Sequence, residues 1–149
     1  MKLTNWAKSL DDYVAQAHAR PFSYDAAEGL DCCTFTFGAI HAQTGRLIGT
    51  QFRGCYRNRR EALLLMRNYA GKPFLALAIT KLMREEGFAT VQPMYAQRGD
   101  AVLVPLKPFG ARDHFFGILD LNGRDVLGVG DLGLRRLPIS IRCRAWRIE

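Results

Sequence analysis

Gly29-Leu30-Asp31-Cys32-Cys33-Thr34-Phe35 reads as the entry to a helix, with Asp31 as its N-cap and apolar positions recurring behind it. The helix is expected to run from Asp31 to about Thr44, where Gly45 stops it. Cys33, Phe37 and Ile40 form one apolar row, and Cys32, Phe35 or Thr36, and Ala39 form a second beside it. Most of this helix's surface should therefore be buried. A cysteine in the first turn of a helix lies where unpaired backbone N–H groups and the macrodipole favour negative charge, and hence the attacking thiolate. Cys32 has that position, whereas Cys33 lies one step round on the row of Phe37 and Ile40 and reads as a core thiol. Buried cysteines are ordinarily inert, so the local pattern alone leaves a structural role open for Cys32 too.

Helical spacing also extends upstream and downstream. Trp6, Leu10, Tyr13, Val14 and Ala17 predict a first helix with Thr4 or Asn5 as N-cap, ended ahead of Pro21. Asn58-Arg59-Arg60-Glu61 resembles a capping box opening a third helix through Leu63, Leu64, Met66 and Arg67. Pro73 suits the first position of a fourth, with Leu75, Ile79, Leu82 and Met83 as its buried stripe and Gly87 as its stop. After that the period changes. The runs 101–106, 115–121, 125–129 and 139–148 read as strands, Pro105 marks a strand end or edge, and Asn122-Gly123 signals a tight hairpin turn. Helices followed by about four strands predict a single α+β domain over residues 1–149 with a small antiparallel sheet.

Composition narrows the function classes. Hydrophobic residues make up 48% of the 149, enough for a core without disulfide staples. The longest apolar run, Phe74 to Ile79, is too short to span a membrane. The first residues turn polar and charged at Lys8, Asp11 and Asp12, unlike a signal peptide, so the four cysteines are expected as free thiols made in a reducing cytoplasm. Cys32, Cys33, Cys55 and Cys143 show no C-x-x-C spacing, and no metal or cofactor is expected. The net charge of +7 is concentrated at Arg53, Arg57, Arg59 and Arg60 and again at Arg135, Arg136, Arg142, Arg144 and Arg147. That suits an anionic partner or a protein–protein contact, but no nucleic-acid fold signature accompanies it.

A nucleophilic cysteine needs a base, and three histidines are available. His18 falls on the first helix, near the surface. His41 follows Cys32 by nine residues on the same helix, about half a turn out of phase. His114, entering the strand Phe115-Phe116-Gly117-Ile118-Leu119, is the remaining candidate, although beside Arg112 and Asp113 it also reads as a solvated loop residue. Asp120 and Asp131 are the carboxylates available to orient it.

The segment Pro21-Phe22 … Gly29-Leu30-Asp31-Cys32-Cys33-Thr34-Phe35 resembles a family of phage-tail-associated proteins related to the NlpC-type cysteine peptidases. The resemblance continues in order through Thr44-Gly45, Phe52-Arg53-Gly54-Cys55-Tyr56, Gln97-Arg98-Gly99-Asp100, Gly117-Ile118, Gly133-Leu134 and Arg144-Ala145-Trp146-Arg147-Ile148. It implies a papain-like fold and a tail-tip or baseplate component of the virion, made in the host cytoplasm. Its implied partners are other tail proteins and peptidoglycan. By the same resemblance the catalytic cysteine falls on Cys32, and Gly99-Asp100 opens the first sheet strand. NlpC-type enzymes read His-x-Gly-Ile at the next strand, where this chain has Phe115-Phe116-Gly117-Ile118. His114 stands one residue early, an offset that in a strand turns a side chain to the opposite face. The second polar residue of the usual triad has no clear counterpart, and some phage-tail relatives also lack the histidine. The resemblance therefore implies either a peptidase using Cys32 and His114 or an inactive assembly component.

Overall fold

The computed structural model describes residues 1–106 and 114–149. Arg112 and Asp113, read above as the loop ahead of His114, lie outside the described residues. Four helices come first: α1 (Trp6–His18), α2 (Cys32–Thr44), α3 (Arg59–Ala70) and α4 (Leu75–Glu85). Six strands follow: β1 (Thr90–Val91), β2 (Ala101–Pro105), β3 (His114–Leu119), β4 (Asp125–Gly130), β5 (Gly133–Pro138) and β6 (Arg144–Trp146). They form one antiparallel sheet in the order β1-β6-β2-β3-β4-β5, which makes the protein α+β.

α2 starts where its sequence says it should. Asp31 is extended (φ −106°, ψ −177°), its carboxylate accepts the Thr34 N–H, and the Thr34 hydroxyl accepts the Asp31 N–H in return. Thr34 thus takes the place usually held by Glu or Gln in a capping box. Gly45, at φ 74°, ends the helix in the left-handed region. Between these caps Phe35, Thr36, Ala39, Ile40 and Gln43 are all buried, as a helix apolar on most sides requires. α1 packs on α2 through Leu10, Ala17 and the Tyr13–Phe35 ring stack at 5.6 Å. The Tyr13 hydroxyl donates to Phe35 O at 2.8 Å, across the space left by Gly38.

Strand alternation divides the sheet cleanly. Ala101, Leu103, Phe116 and Trp146 face Ile40 of α2 and Ile79 and Met83 of α4, while Ile118, Leu127 and Val129 face α1 and α2. Val102, Val104, Phe115, Leu119, Val126 and Ala145 occupy the other face, covered by Val91, Ala96, Leu137 and Ile139. Gly99-Asp100 does lead into β2. Asp100 is wholly buried, accepts the N–H groups of Gln97 and Ile148, and pairs with Arg147 Nε at 3.1 Å.

Several boundaries differ from the sequence reading. α4 begins at Leu75, with Phe74 at the cap, so Pro73 precedes the helix instead of opening it. Asn58 caps α3 through Glu61 N–H at 2.9 Å, but Glu61 Oε1 reaches the Arg57 N–H, one residue beyond a reciprocal box. The Asn122-Gly123 turn joins β3 and β4 with Gly123 at φ 69°, yet the link spans residues 120–124 and is not a two-residue hairpin. The expected strand 139–148 is the largest correction. Ser140 to Cys143 form a turn closed by Cys143 N–H to Ser140 O, and only Arg144–Trp146 pair. β1 and β5 were not anticipated at all. β5 carries Arg135 and Arg136 in a half-exposed edge, where apolar alternation is weak.

Candidate functional site

Residues from all these layers meet at one cavity of about 1000 Å³. Its floor is the start of α2, with Asp31, Cys32 and Cys33; His114 and Phe115 of β3 border it, as do Asp131 and Leu132 of the β4–β5 turn. The 22–31 segment contributes Phe22 and Tyr24, and the segment leading into and along α3 contributes Phe52, Tyr56, Arg59, Leu63, Met66 and Tyr69. None of the α3 side chains is fully buried, so the helix forms an outer wall and not a core element. A shallower pocket lined by His18, Arg20 and Leu134 shares Phe22, Asp131 and Leu132 with the main cavity and extends it along the surface.

Both nominated residues therefore border the same space. Pro105 pairs with His114, Val104 with Phe115 and Leu103 with Phe116. By alternation His114 shares the α2-facing side of β3 with Phe116 and Ile118, while Phe115 packs with Val102, Val104 and Val126 on the other. The offset relative to the NlpC pattern thus leaves His114 on the side of α2, the helix that carries Cys32. Thr36 links the two elements directly: its hydroxyl lies 2.8 Å from Cys32 O and 3.1 Å from Phe116 O. Of the two carboxylates considered as orienting groups, Asp131 borders the cavity, while Asp120 is engaged with Arg136 Nε at 2.6 Å. His41 is exposed in the last turn of α2, and His18 lies in the surface extension.

The start of α2 offers backbone N–H groups in a position that favours negative charge. Asp31 takes the Thr34 N–H, leaving the amides of Cys32 and Cys33 without a protein acceptor among the described residues. Asp31 itself is buried, and its charge is met by Thr34 N–H at 2.8 Å, Thr34 Oγ1 at 3.1 Å and the Tyr56 hydroxyl at 2.6 Å. The Cys33 thiol is pushed well above the ordinary thiol range, first by its hydrogen bond with Cys32, then by burial and the charges of Cys32 and Asp31. Cys33 therefore stays protonated beside Cys32, and both pack against the core under α2. Cys55 is exposed and Cys143 buried beside Ser140, so neither adds to the site. No group of three or more His, Cys, Asp or Glu side chains is placed to hold a metal ion among the described residues. Nor is any described helix long and apolar enough to cross a membrane.

Tyr24, Tyr56, Arg59 and Arg135 were not singled out as site residues by the sequence. Tyr56 stood in the motif Phe52-Arg53-Gly54-Cys55-Tyr56, and Arg59 and Arg135 stood in the two arginine clusters; nothing local marked them as neighbours of Cys32. No curated protein and no solved structure matches the chain. A model of the family described as Domain of unknown function (DUF6950) matches residues 1–148, and the chain belongs to that family.

Proposed function

We propose that this protein is a papain-like cysteine peptidase of a phage tail tip, acting on peptide bonds of peptidoglycan during cell entry. The observation that carries the catalytic part is the shared cavity: Cys32 at the capped start of α2 and His114 on the α2-facing side of β3 border one space large enough for a peptide. Cys32 Sγ attacks the amide carbonyl carbon while His114 takes the thiol proton and passes it to the leaving amine. Water then attacks the thioester, releasing the carboxylic acid and restoring the thiol. Charge on the carbonyl oxygen is met by the unoccupied amides of Cys32 and Cys33. The phage-tail placement and the peptidoglycan substrate are supported by the motif succession that runs along nearly the whole chain. Incubating the purified protein with peptidoglycan fragments tests the reading: cleavage lost in Cys32→Ala is expected, and cleavage that survives this change, or none by the wild type, removes it.

The second reading is an assembly component that keeps the fold without the chemistry. It is favoured by large exposed apolar side chains, among them Leu121, Leu132 and Ile141, and by the half-exposed arginines of the β5 edge. Under this reading a phage carrying Cys32→Ala infects normally while a deletion yields no tails. Normal tails from the deletion would exclude it.

A further inference from the structure

Cys33 stands on the apolar row of Phe37 and Ile40, yet it is only half-buried and borders the cavity beside Cys32. The mechanism above uses its backbone amide and not its thiol. Two thiols on consecutive residues therefore open onto one space, and the Cys33 thiol is hydrogen-bonded to Cys32. The other cysteines are engaged elsewhere: Cys55 donates to Gln51 O at 3.2 Å, and Cys143 is buried at the turn with Ser140.

Backbone geometry sets what the pair can do. Consecutive Cα atoms stand about 3.8 Å apart across a trans peptide, closer than the separations at which disulfides ordinarily form. In a helix successive side chains also diverge by about 100°. A bond between the two sulfurs thus requires the Cys32–Cys33 peptide to leave the helix. This is the part of α2 that gives way most readily. The amides of Cys32 and Cys33 have no protein acceptor among the described residues, so turning them breaks no N–H bond. What holds the turn is the reciprocal Asp31–Thr34 cap and the Thr36 hydroxyl on Cys32 O at 2.8 Å. A bond formed against them is strained and opens readily to an added thiol.

We propose that Cys32 and Cys33 form a modification site for peroxides, in which Cys33 resolves oxidised Cys32 as a vicinal disulfide and so switches the nucleophile off reversibly. Cys32 Sγ attacks one oxygen of hydrogen peroxide and the O–O bond breaks. The sulfur is oxidised to sulfenic acid, and the other oxygen leaves as water with the thiol proton. Cys33 Sγ then attacks Cys32 Sγ, the S–O bond breaks, and that oxygen leaves as a second water with the Cys33 proton. The pair gives up two electrons and one peroxide becomes two waters. Closing the disulfide spares Cys32 the irreversible sulfinic acid. The chemistry needs an accessible Cys32 thiol and no peptidase substrate.

Peptide masses test it. The reduced full chain is treated with hydrogen peroxide, blocked with iodoacetamide before unfolding, and digested with trypsin. The peptide holding Cys32 and Cys33 contains neither Cys55 nor Cys143, because Arg46 closes it. In the wild type this peptide is expected unlabelled and lighter by two hydrogens, and dithiothreitol should return all of its Cys32 labelling. In Cys33→Ala the same treatment should carry Cys32 to sulfinic acid, heavier by two oxygens, with labelling lost even after dithiothreitol. Cys33→Ser takes its place if the alanine chain does not fold. The assignment is overturned by an unreactive Cys32, by sulfinic acid on wild-type Cys32 without the loss of two hydrogens, or by a Cys32 bond to Cys55. Reversible protection that persists without Cys33 overturns it too. If the disulfide forms and peptidoglycan is not cleaved, the peptidase reading falls while the switch stands; cleavage by a chain that never forms the disulfide has the reverse result.

Discussion

The Tyr56 hydroxyl donates to Asp31 Oδ2 at 2.6 Å, joining the loop ahead of α3 to the cap of the helix that carries Cys32. Both residues are buried, so the bond is shielded from water. Tyr56→Phe should destabilise the fold by about 2 kcal/mol, the order expected when a buried charged acceptor loses a donor. Urea denaturation measures it. Restoring a neutral acceptor with Asp31→Asn in the same chain should recover part of the loss, because Asn still caps Thr34 without leaving a bare charge.

The two thiols that follow this cap differ in their protonation. With Cys33 kept protonated by its bond to Cys32 and by burial, iodoacetamide at pH 8 should modify Cys32 before Cys33. Mass mapping of a time course reads the order, and faster labelling of Cys33 would refute it.

The placement of His114 gives a directional test. His114→Ala should lower peptide cleavage by about 10³-fold, the scale of a lost general base. Adding Phe115→His to that variant should restore little, because the side chain at 115, although it borders the cavity, packs with Val102 and Val126 on the other sheet face. Recovery of activity in the double variant would show that the strand side has been misassigned.

Gly38 makes a prediction opposite in sign to helix propensity. Gly to Ala inside a helix ordinarily stabilises by roughly 1 kcal/mol. Here the new Cβ would lie 2.1 Å from the Tyr13 hydroxyl oxygen, which is held by Phe35 O. Gly38→Ala should therefore destabilise by about 1–3 kcal/mol, as overpacking does. The thermal midpoint decides between the two signs.

Alkaline pH should unfold the protein. Burial raises the phenols of Tyr13 and Tyr56 above their ordinary value of 10.0, and the Cys33 thiol is raised above 9.0. In each case the unfolded chain gives up its proton first, so it binds fewer protons than the fold above these values. Stability is then intact below about pH 9 and falls as pH rises beyond it, by about 1.4 kcal/mol per pH unit for each such group. In a Tyr95→Phe background, which removes the exposed phenol, absorbance of Tyr13 and Tyr56 phenolate appearing together with loss of helical circular dichroism would bear this out; the same absorbance in a still-folded chain would contradict it.

Much of the helical half was legible because its signals are local. Asp31, Asn58 and Gly45 mark helix ends by their own chemistry, and the structure places caps at each. The sheet was harder. β5 reads Gly133-Leu134-Arg135-Arg136-Leu137-Pro138, an edge whose partner is β4 alone, so half-buried arginines replace the apolar alternation that betrays a strand. β1 has two residues and exists because β6 pairs with it. The site shows the same division. Cys32 was nominated from its helix position and His114 by elimination among three histidines, and both border the cavity. Tyr24 and Tyr56 join the cavity lining only when two loops distant in sequence fold against the start of α2, and no single-residue pattern encodes that.

β6 sits between β1 and β2, strands that precede it by many residues, and this has a consequence for how the molecule is made. On a ribosome, β2 can pair with β3 while its other margin stays bare until residues 144–148 emerge. Trp146 and Ile148 then fill the space between the sheet and α4 in one late event. Until it happens the nascent chain shows an unpaired strand and an open apolar face, the features that chaperones bind. A ribosome stalled before Arg144 would thus leave a product whose helices are in place and whose interior is still wet.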